Sequence, residues 1–185
     1  MKLPLAALGL LLAASLPLAA QPRPPVEVTV VPNKATPADL KPDDPNVPDA
    51  YAIEGNFEKV LVLRMKHGAD LLKGLETLVK QKGIRNGVIL SGIGSLRGYH
   101  VHQVNNRDFP TSNIFTKALT QGCDLVGMNG YIVNGVLHAH MTLGTGEKAI
   151  AGHLEPGTQV FTYAIVTVGV MNGTDLSKVD DKSYR

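Results

Sequence analysis

The stretch KVLVLRMKHGADLLKGLETLVKQKGIRNGVILSGIGSL, residues 59–96, sets the fold expected for this chain. Its first seven residues are typical of a strand, and Gly68 marks the end of that strand. The segment that follows repeats apolar residues at helical spacing and keeps its lysines off the stripe formed by Leu71, Leu72, Leu75, Leu78 and Val79. Asp70 suits the first turn of this helix, and Gly83 is placed to end it in the left-handed conformation. A buried strand, residues 87–94, is predicted next.

Further strand-like runs continue to residue 170, and glycine or proline turns separate most of them. They are GYHVHQV, DLVGMNGYIV, VLHAHMTL, KAIAGHL and QVFTYAIVTVGV. The polar residues 105–112 interrupt this series and predict a loop. One strong helix after the first strand, followed by consecutive strands, predicts an α+β fold with a mainly antiparallel sheet. A doubly wound sheet would require helices between the strands.

The amino-terminal part of the chain predicts a targeting signal and a spacer. Residues 1–20 carry one charge, Lys2, followed by an apolar run and small residues, which is the order of a secretory signal peptide. We therefore expect a periplasmic or secreted protein, with an uncleaved membrane anchor as the alternative. Residues 21–56 hold eight of the 12 prolines and predict an extended spacer, because proline excludes helix and central strand. Within it, residues 26–31 are the alternative candidate for an edge strand.

Length and composition limit the remaining possibilities. Of the 185 residues, 57–170 are assigned to one domain, and residues 171–185 have no apolar period and are expected to form a loose tail. A net charge of +2 argues against a protein built mainly to neutralise phosphates, although residues 57–170 carry 11 basic and 7 acidic residues. The single cysteine, Cys123, excludes a disulfide framework and is expected to be a structural thiol.

The candidate site rests on histidines. His138 and His140 occupy positions i and i+2 of a predicted strand, so both imidazoles point to one face. A hairpin at the following Gly-Thr-Gly turn would return His153 to their level. Three converging imidazoles suit Zn²⁺ or another divalent transition metal and leave a fourth position for a ligand. The alternative is a polar strand face. Glu155 would follow on the same face as an outer partner or general base.

Other polar residues leave several interpretations open. His100 and His102 repeat the alternating spacing, and they complete the same site, build a second site or simply form a polar strand face. His67 suits a solvated loop or a contact at the start of the helix. Arg97 follows a glycine-rich turn and is a candidate anion-binding residue. That turn leads into a strand rather than a helix, which excludes a nucleotide-binding fingerprint and favours close backbone packing of the glycines.

The order of the helix, GVILSGIGSL, HAHMTL and AGHL resembles the plant and prokaryote conserved (PPC) domain family over residues 57–170. The resemblance implies an α+β fold that assembles as a homotrimer. It also implies that His138, His140 and His153 are the histidines which prokaryotic members present as a metal site. Plant members carry Arg-Gly-Arg-Pro segments that bind DNA, and this chain has none. The segment CDLVGMNG departs from the family pattern, so a partner surface there is expected to differ.

The function predicted from the sequence is therefore that of an exported, trimeric PPC-like protein. Its three-histidine metal site, with Zn²⁺ as the expected metal, would bind or act on a small ligand. The alternatives are a DNA-binding or regulatory partner protein and a purely structural trimer. The residue pattern indicates no particular reaction.

Overall fold

The computed structural model describes residues 25–34, 46 and 48–179. The predicted signal peptide, residues 1–20, and the end of the expected tail, residues 180–185, lie outside the described residues. No helix within the described part of the chain is long and apolar enough to cross a membrane.

The described residues contain one helix and eight strands. The helix and most of the strands follow the order that the sequence predicts. The elements are β1 (Glu27–Pro32), β2 (Lys59–Lys66), α1 (Leu71–Gln81), β3 (Gly87–Val104), β4 (Ser112–Ala118), β5 (Cys123–Val133), β6 (Val136–Gly144), β7 (Ala149–Leu154) and β8 (Gln159–Val170). All strand pairings are antiparallel. The predicted mainly antiparallel sheet with one principal helix after the first strand of the domain is confirmed.

Strand β1 corrects the expected spacer, and strand β4 is an element that the sequence does not predict. β1 pairs with β4 from Glu27↔Lys117 to Pro32↔Ser112, so part of the spacer forms an edge strand. β4 is absent from the sequence prediction because most of its side chains are half-buried on both faces, which produces no alternation between buried and exposed residues. The predicted loop is present between β3 and β4, over residues 105–111.

Strand β3 is one continuous strand where the sequence predicts two strands around a glycine turn. Its 18 residues contain three register irregularities, the last two of which flank Leu96. The glycines allow other backbones to approach closely. A Cβ atom at Gly94 would lie 2.6 Å from the carbonyl oxygen of Tyr163, and one at Gly98 would lie 2.2 Å from that of Leu119. The expected close backbone packing is therefore present, without a chain reversal.

The two edges of β3 determine which strands surround the histidines. One edge pairs with β5 and then with β4, and the other edge pairs with β8 and then with β7. Because β6 lies between β5 and β7, strands β3, β5, β6 and β7 form a closed circuit of pairings. The carboxyl end of β3 is thereby a neighbour of β7, although the two segments are far apart in sequence.

Helix α1 covers the sheet and behaves as its pattern predicts. Leu71, Leu75 and Val79 are buried, and the helix contacts β2, β6 and β8. Asp70 stands one position before the helix as its N-cap: one carboxylate oxygen accepts from Lys73 N at 3.0 Å, and the other accepts from Gly157 N at 2.7 Å. The cap therefore also anchors the turn between β7 and β8. Gly83 has φ +62°, as expected for the residue that ends the helix.

The segment after β8 packs against the domain over its described residues, contrary to the expected loose tail. Met171 and Leu176 are buried. The side-chain oxygen of Asn172 accepts hydrogen bonds from the backbone N–H groups of Arg85 and Asn86. Two apolar residues are too few to produce a periodic pattern, which explains why the sequence does not predict this packing.

Candidate metal centre

His138 and His140 lie on the outer face of β6 with their Nε2 atoms directed at each other. The intervening Ala139 and the following Met141 point into the core, so strand alternation places both imidazoles on the solvent side. Their Nε2 atoms are 3.1 Å apart, whereas their ring centroids are 5.2 Å apart. The two nitrogen atoms therefore converge on one point.

His153 joins this pair from β7 through the hairpin that the sequence predicts. The register pairs it directly with His140. Its ring stands nearly perpendicular to both neighbouring rings, with centroids 4.9 Å from His138 and 5.4 Å from His140. The structure thus brings together the three histidines predicted as metal ligands.

Two further residues, His102 and Glu155, extend the cluster. His102, on β3, pairs with His153, and their rings are 4.6 Å apart at an angle of 30°. Glu155 Oε1 lies 2.6 Å from His102 Nδ1 and 3.2 Å from His153 Nδ1. One carboxylate oxygen therefore accepts hydrogen bonds from two imidazoles. This agrees with the expected role of Glu155 as an outer partner of a ligand histidine.

The backbone holds Glu155 in place although β7 ends at Leu154. The N–H of Glu155 donates to the carbonyl of His100 at 3.1 Å, which continues the pairing with β3. The buried Thr158 donates through its hydroxyl to the carbonyls of Glu155 and His100, both at 3.1 Å. Both backbone polar groups of Glu155 are bonded, which fixes the residue beside the Nδ1 atoms of His102 and His153.

One group of side chains in the described part of the chain has ligand atoms close enough together to hold a metal ion. His102, His153 and Glu155 each offer one ligand atom, and these atoms lie within 4.8 Å of one another. The predicted group of His138, His140 and His153 shares His153 with it. The alternating histidines of GYHVHQV already indicated His102 as a candidate. Its place in the cluster depends on the β3–β7 pairing, which brings it beside His153, 51 positions later in the sequence.

The surroundings favour the neutral forms of His140 and His153. Burial lowers the pKa of His140, and the neighbouring His138 and His102 lower it further. Burial also lowers the pKa of His153, with additional contributions from His102 and His138, while Glu155 opposes the change. A neutral imidazole has the lone pair that a metal ligand requires.

The remaining candidate residues lie outside the cluster. Arg97 is exposed on β3, and its side chain has no hydrogen bond or ion pair with the cluster in the described part of the chain. His100 Nδ1 lies 3.0 Å from the carbonyl oxygen of Pro156. His67 hydrogen-bonds the carbonyl of Phe161, on β8. Burial raises the pKa of Cys123 to about 11, with a further contribution from Asp124, as a structural thiol requires.

An apolar groove lies beside His138. Its volume is about 440 Å³, and its walls are Tyr131, Val133, Val136, Leu137 and Val179. Tyr131 is the cross-strand partner of His138. The volume falls within the range of small-molecule sites, about 300–1,000 Å³.

Residues 52–172 match the Plants and Prokaryotes Conserved (PCC) domain. Among solved structures, the chain resembles a metal-containing protein from Archaeoglobus fulgidus, with 21% identity, a TM-score of 0.56 and coverage of 66% of this chain and 86% of that one. It also resembles a plant- and prokaryote-conserved (PPC) protein from Pyrococcus horikoshii, with 22% identity, a TM-score of 0.54 and coverage of 65% and 85%. A candidate DNA-binding protein from Bacteroides thetaiotaomicron shares 22% identity, with a TM-score of 0.50 and coverage of 63% and 83%. At these identities the similarity shows a common fold.

Curated relatives share only part of their length with this chain. Bifunctional GlmU proteins from two Synechococcus strains are 25% and 23% identical over 111 residues, which is 60% of this chain. Those residues are 16% and 17% of the GlmU proteins. The chain therefore spans about a sixth of these relatives.

Proposed function

The chain belongs to the Plants and Prokaryotes Conserved (PCC) domain family, and we propose that it is a metal-binding member in which His138, His140 and His153 hold one divalent transition metal ion. Zn²⁺ is the proposed metal, because three imidazoles with an open fourth position are a common zinc ligand set. The metal-containing description of the A. fulgidus neighbour supports the same interpretation.

The spacing of the three rings carries the proposal. Zn–N bonds of about 2.0–2.1 Å place each ring centroid about 3.2 Å from the metal, so a tetrahedral site separates the centroids by about 5.2 Å. The three separations in the structure are 5.2, 4.9 and 5.4 Å. The 3.1 Å between Nε2 of His138 and His140 corresponds to a ligand–metal–ligand angle of about 98° at those bond lengths. These separations support a site in which the three imidazoles share one ion.

The chain's own groups would hold the ligands and shape the open position. Glu155 accepts from His153 Nδ1, which directs the Nε2 lone pair of that ring away from the carboxylate and toward the other two histidines. The groove beside His138 would take the apolar part of a small ligand. A bound zinc ion supplies Lewis-acid polarisation of the ligand that occupies the open position.

Metal content of the purified protein tests this proposal. We expect one zinc ion per wild-type chain by elemental analysis after dialysis. His138→Ala and His153→Ala should each lower metal affinity by more than the roughly 10–100-fold typical of outer partners. His67→Ala is the matched control, because His67 lies outside the cluster, and it should keep full metal content. A metal-free wild type that does not take up added zinc would refute the site.

We also propose that the chain assembles as a homotrimer through the outer face of strands β2, β8 and β3. This face exposes large apolar side chains, including Val62 at 67%, Ile93 at 56% and Phe161 at 51%. Contiguous apolar surface of this kind marks protein contacts. Val62→Lys and Ile93→Asp should give monomers in sedimentation equilibrium, whereas a wild type that stays monomeric at every concentration would contradict the proposal.

Export to the periplasm is proposed from residues 1–20, whose pattern is that of a signal peptide. Fractionation of cells that express the full chain tests it, and recovery in the cytoplasm without processing would contradict it.

The second candidate function is DNA binding. It is favoured by the description of the B. thetaiotaomicron neighbour and by the excess of four basic residues in 57–170. Duplex DNA binding that weakens steeply with salt would support this function, and it would also argue against an exported protein.

A further inference from the structure

The contact between His102 and Glu155 argues against His102 Nδ1 as a metal-binding atom. Two donor atoms on one zinc ion lie about 2.9–3.4 Å apart at bond lengths of about 2.0–2.1 Å and angles near 90–110°. His102 Nδ1 is only 2.6 Å from Glu155 Oε1, which is a short charge-assisted hydrogen bond rather than the spacing of two ligands. Nδ1 is therefore the donor of this hydrogen bond, and in the neutral ring Nε2 is the atom that bears the lone pair.

Packing directs this lone pair toward the proposed metal. The rings of His102 and His153 are 30° from parallel, and both Nδ1 atoms point at the same oxygen of Glu155. Since the two rings share an orientation and a hydrogen-bond partner, we expect their Nε2 atoms on the side away from the carboxylate. His102 also contributes to the lowered pKa of His140, after burial and His138, as its proximity to that ring requires.

The ring of His102 has little freedom to turn away. Phe115, its partner on β4, lies 5.0 Å from it on one side, and His153 lies 4.6 Å away on the other. Only 21% of its side-chain surface is accessible. Rotation would break the bond to Glu155 and both ring contacts, so Nε2 is a preorganised hydrogen-bond acceptor.

We propose that His102 is a ligand-binding residue whose Nε2 accepts a hydrogen bond from a small molecule bound at the open position of the metal site. The site then selects ligands that combine a metal-binding oxygen or nitrogen with a neighbouring N–H or O–H group. This inference rests on the proposed metal site of His138, His140 and His153.

A pair of probes in which a methyl group replaces that donor hydrogen tests the role of His102, and the His102→Phe variant separates the lost hydrogen bond from the bulk of the methyl group. Acetohydroxamic acid carries an N–H beside its metal-binding oxygens, and N-methylacetohydroxamic acid lacks it. Zinc-loaded wild type should bind the first about five- to tenfold tighter by calorimetry, the usual gain from one hydrogen bond. His102→Phe keeps an aromatic ring between Phe115 and His153 and should bind both probes within twofold, with one zinc per chain retained.

Two further variants protect the test against misfolding. His102→Gln retains a side-chain acceptor and should recover part of the preference for acetohydroxamic acid. His100→Phe is the matched control, because His100 lies on the same strand and bonds Pro156 instead of Glu155, and it should keep the wild-type ratio.

The outcomes separate this inference from the metal site itself. A folded His102→Phe protein that keeps the wild-type preference overturns the role of His102 alone. Loss of zinc from that variant, as from His138→Ala, overturns it too, because His102 would then be a metal ligand. A wild type that binds no zinc overturns the proposed function and this inference with it.

Discussion

Replacing Gly152 by alanine is expected to force β7 away from β3 and to disturb the histidine cluster. A Cβ atom at this position would lie 2.6 Å from the backbone oxygen of His102, 3.1 Å from Cβ of Val101 and 3.3 Å from Cγ of Gln103. The oxygen belongs to the backbone and cannot rotate away. Since carbon–oxygen contacts begin at about 3.3 Å, the two strands must part by about 0.7 Å.

The size of the effect follows from this overlap. Overpacking a well-packed contact costs about 1–3 kcal/mol, and we expect about 2 kcal/mol because a strand pairing must shift. For a domain of this size, each kcal/mol lowers Tm by about 4 °C, so Gly152→Ala should melt about 8 °C below the wild type. His153 adjoins Gly152 and pairs with His102, so zinc affinity should also fall by at least about tenfold, as when an outer partner is lost.

Thermal denaturation followed by circular dichroism, with and without EDTA, measures both effects. Gly146→Ala is the matched control, because it lies in the β6–β7 turn and its Cβ would meet no atom within 4 Å. The control should melt within about 2 °C of the wild type. A Gly152→Ala protein with wild-type Tm and wild-type zinc content would refute the reasoning, because β7 could then not be held as closely to β3 as the structure shows.

Three further predictions concern acid sensitivity, the thiol and the helix cap. Burial lowers the pKa of His140 and His153 in the folded chain, so the unfolded chain binds protons first as the pH falls below about 6.5. The unfolding free energy of metal-free protein should therefore decrease from pH 7 to pH 5 in urea titrations, and a flat profile would contradict this. Burial raises the pKa of Cys123 to about 11, with Asp124 adding to the rise. At pH 8 the thiol of native protein should therefore react with iodoacetamide about a hundredfold more slowly than that of unfolded protein. Equal rates would argue against burial of the thiol. Asp70→Ala removes the acceptor of two backbone N–H groups and should lower the unfolding free energy in denaturant titrations by about 1–2 kcal/mol. Asp70→Asn should lower it less, because its amide oxygen still caps the helix. Equal losses in the two variants would rule out the cap as the cause.

The parts of the fold that the sequence predicted well are those with local causes. The stripe of Leu71, Leu75 and Val79 is a helix with the expected end at Gly83, because residues a turn apart must share a face. The alternation of His138 and His140 likewise required a common face, and the short turn after β6 required His153 to return beside them. These relations span few residues, so the chain geometry alone decides them.

Other features depended on contacts between distant segments. β1 and β4 support each other across about 85 residues. β4 has no alternating pattern of its own, and every residue of β1 remains exposed. Arg97 and His102 lie on the same strand and were candidates for an anion site and for the metal site, respectively, but only His102 reaches the cluster. The reason is that β3 pairs with β7 at His102, while Arg97 lies near the register irregularities around Leu96 and points to solvent.

Residue types and their spacing on single strands were therefore enough to identify a three-histidine cluster and the α+β class. They were not enough to show that Glu155 serves two imidazoles, because that arrangement needs β3, β7 and the buried hydroxyl of Thr158 in one place. Strand alternation acts over two residues and can be read along the chain. The choice of which strands become neighbours is made by the burial of the whole core, and no short segment contains that information.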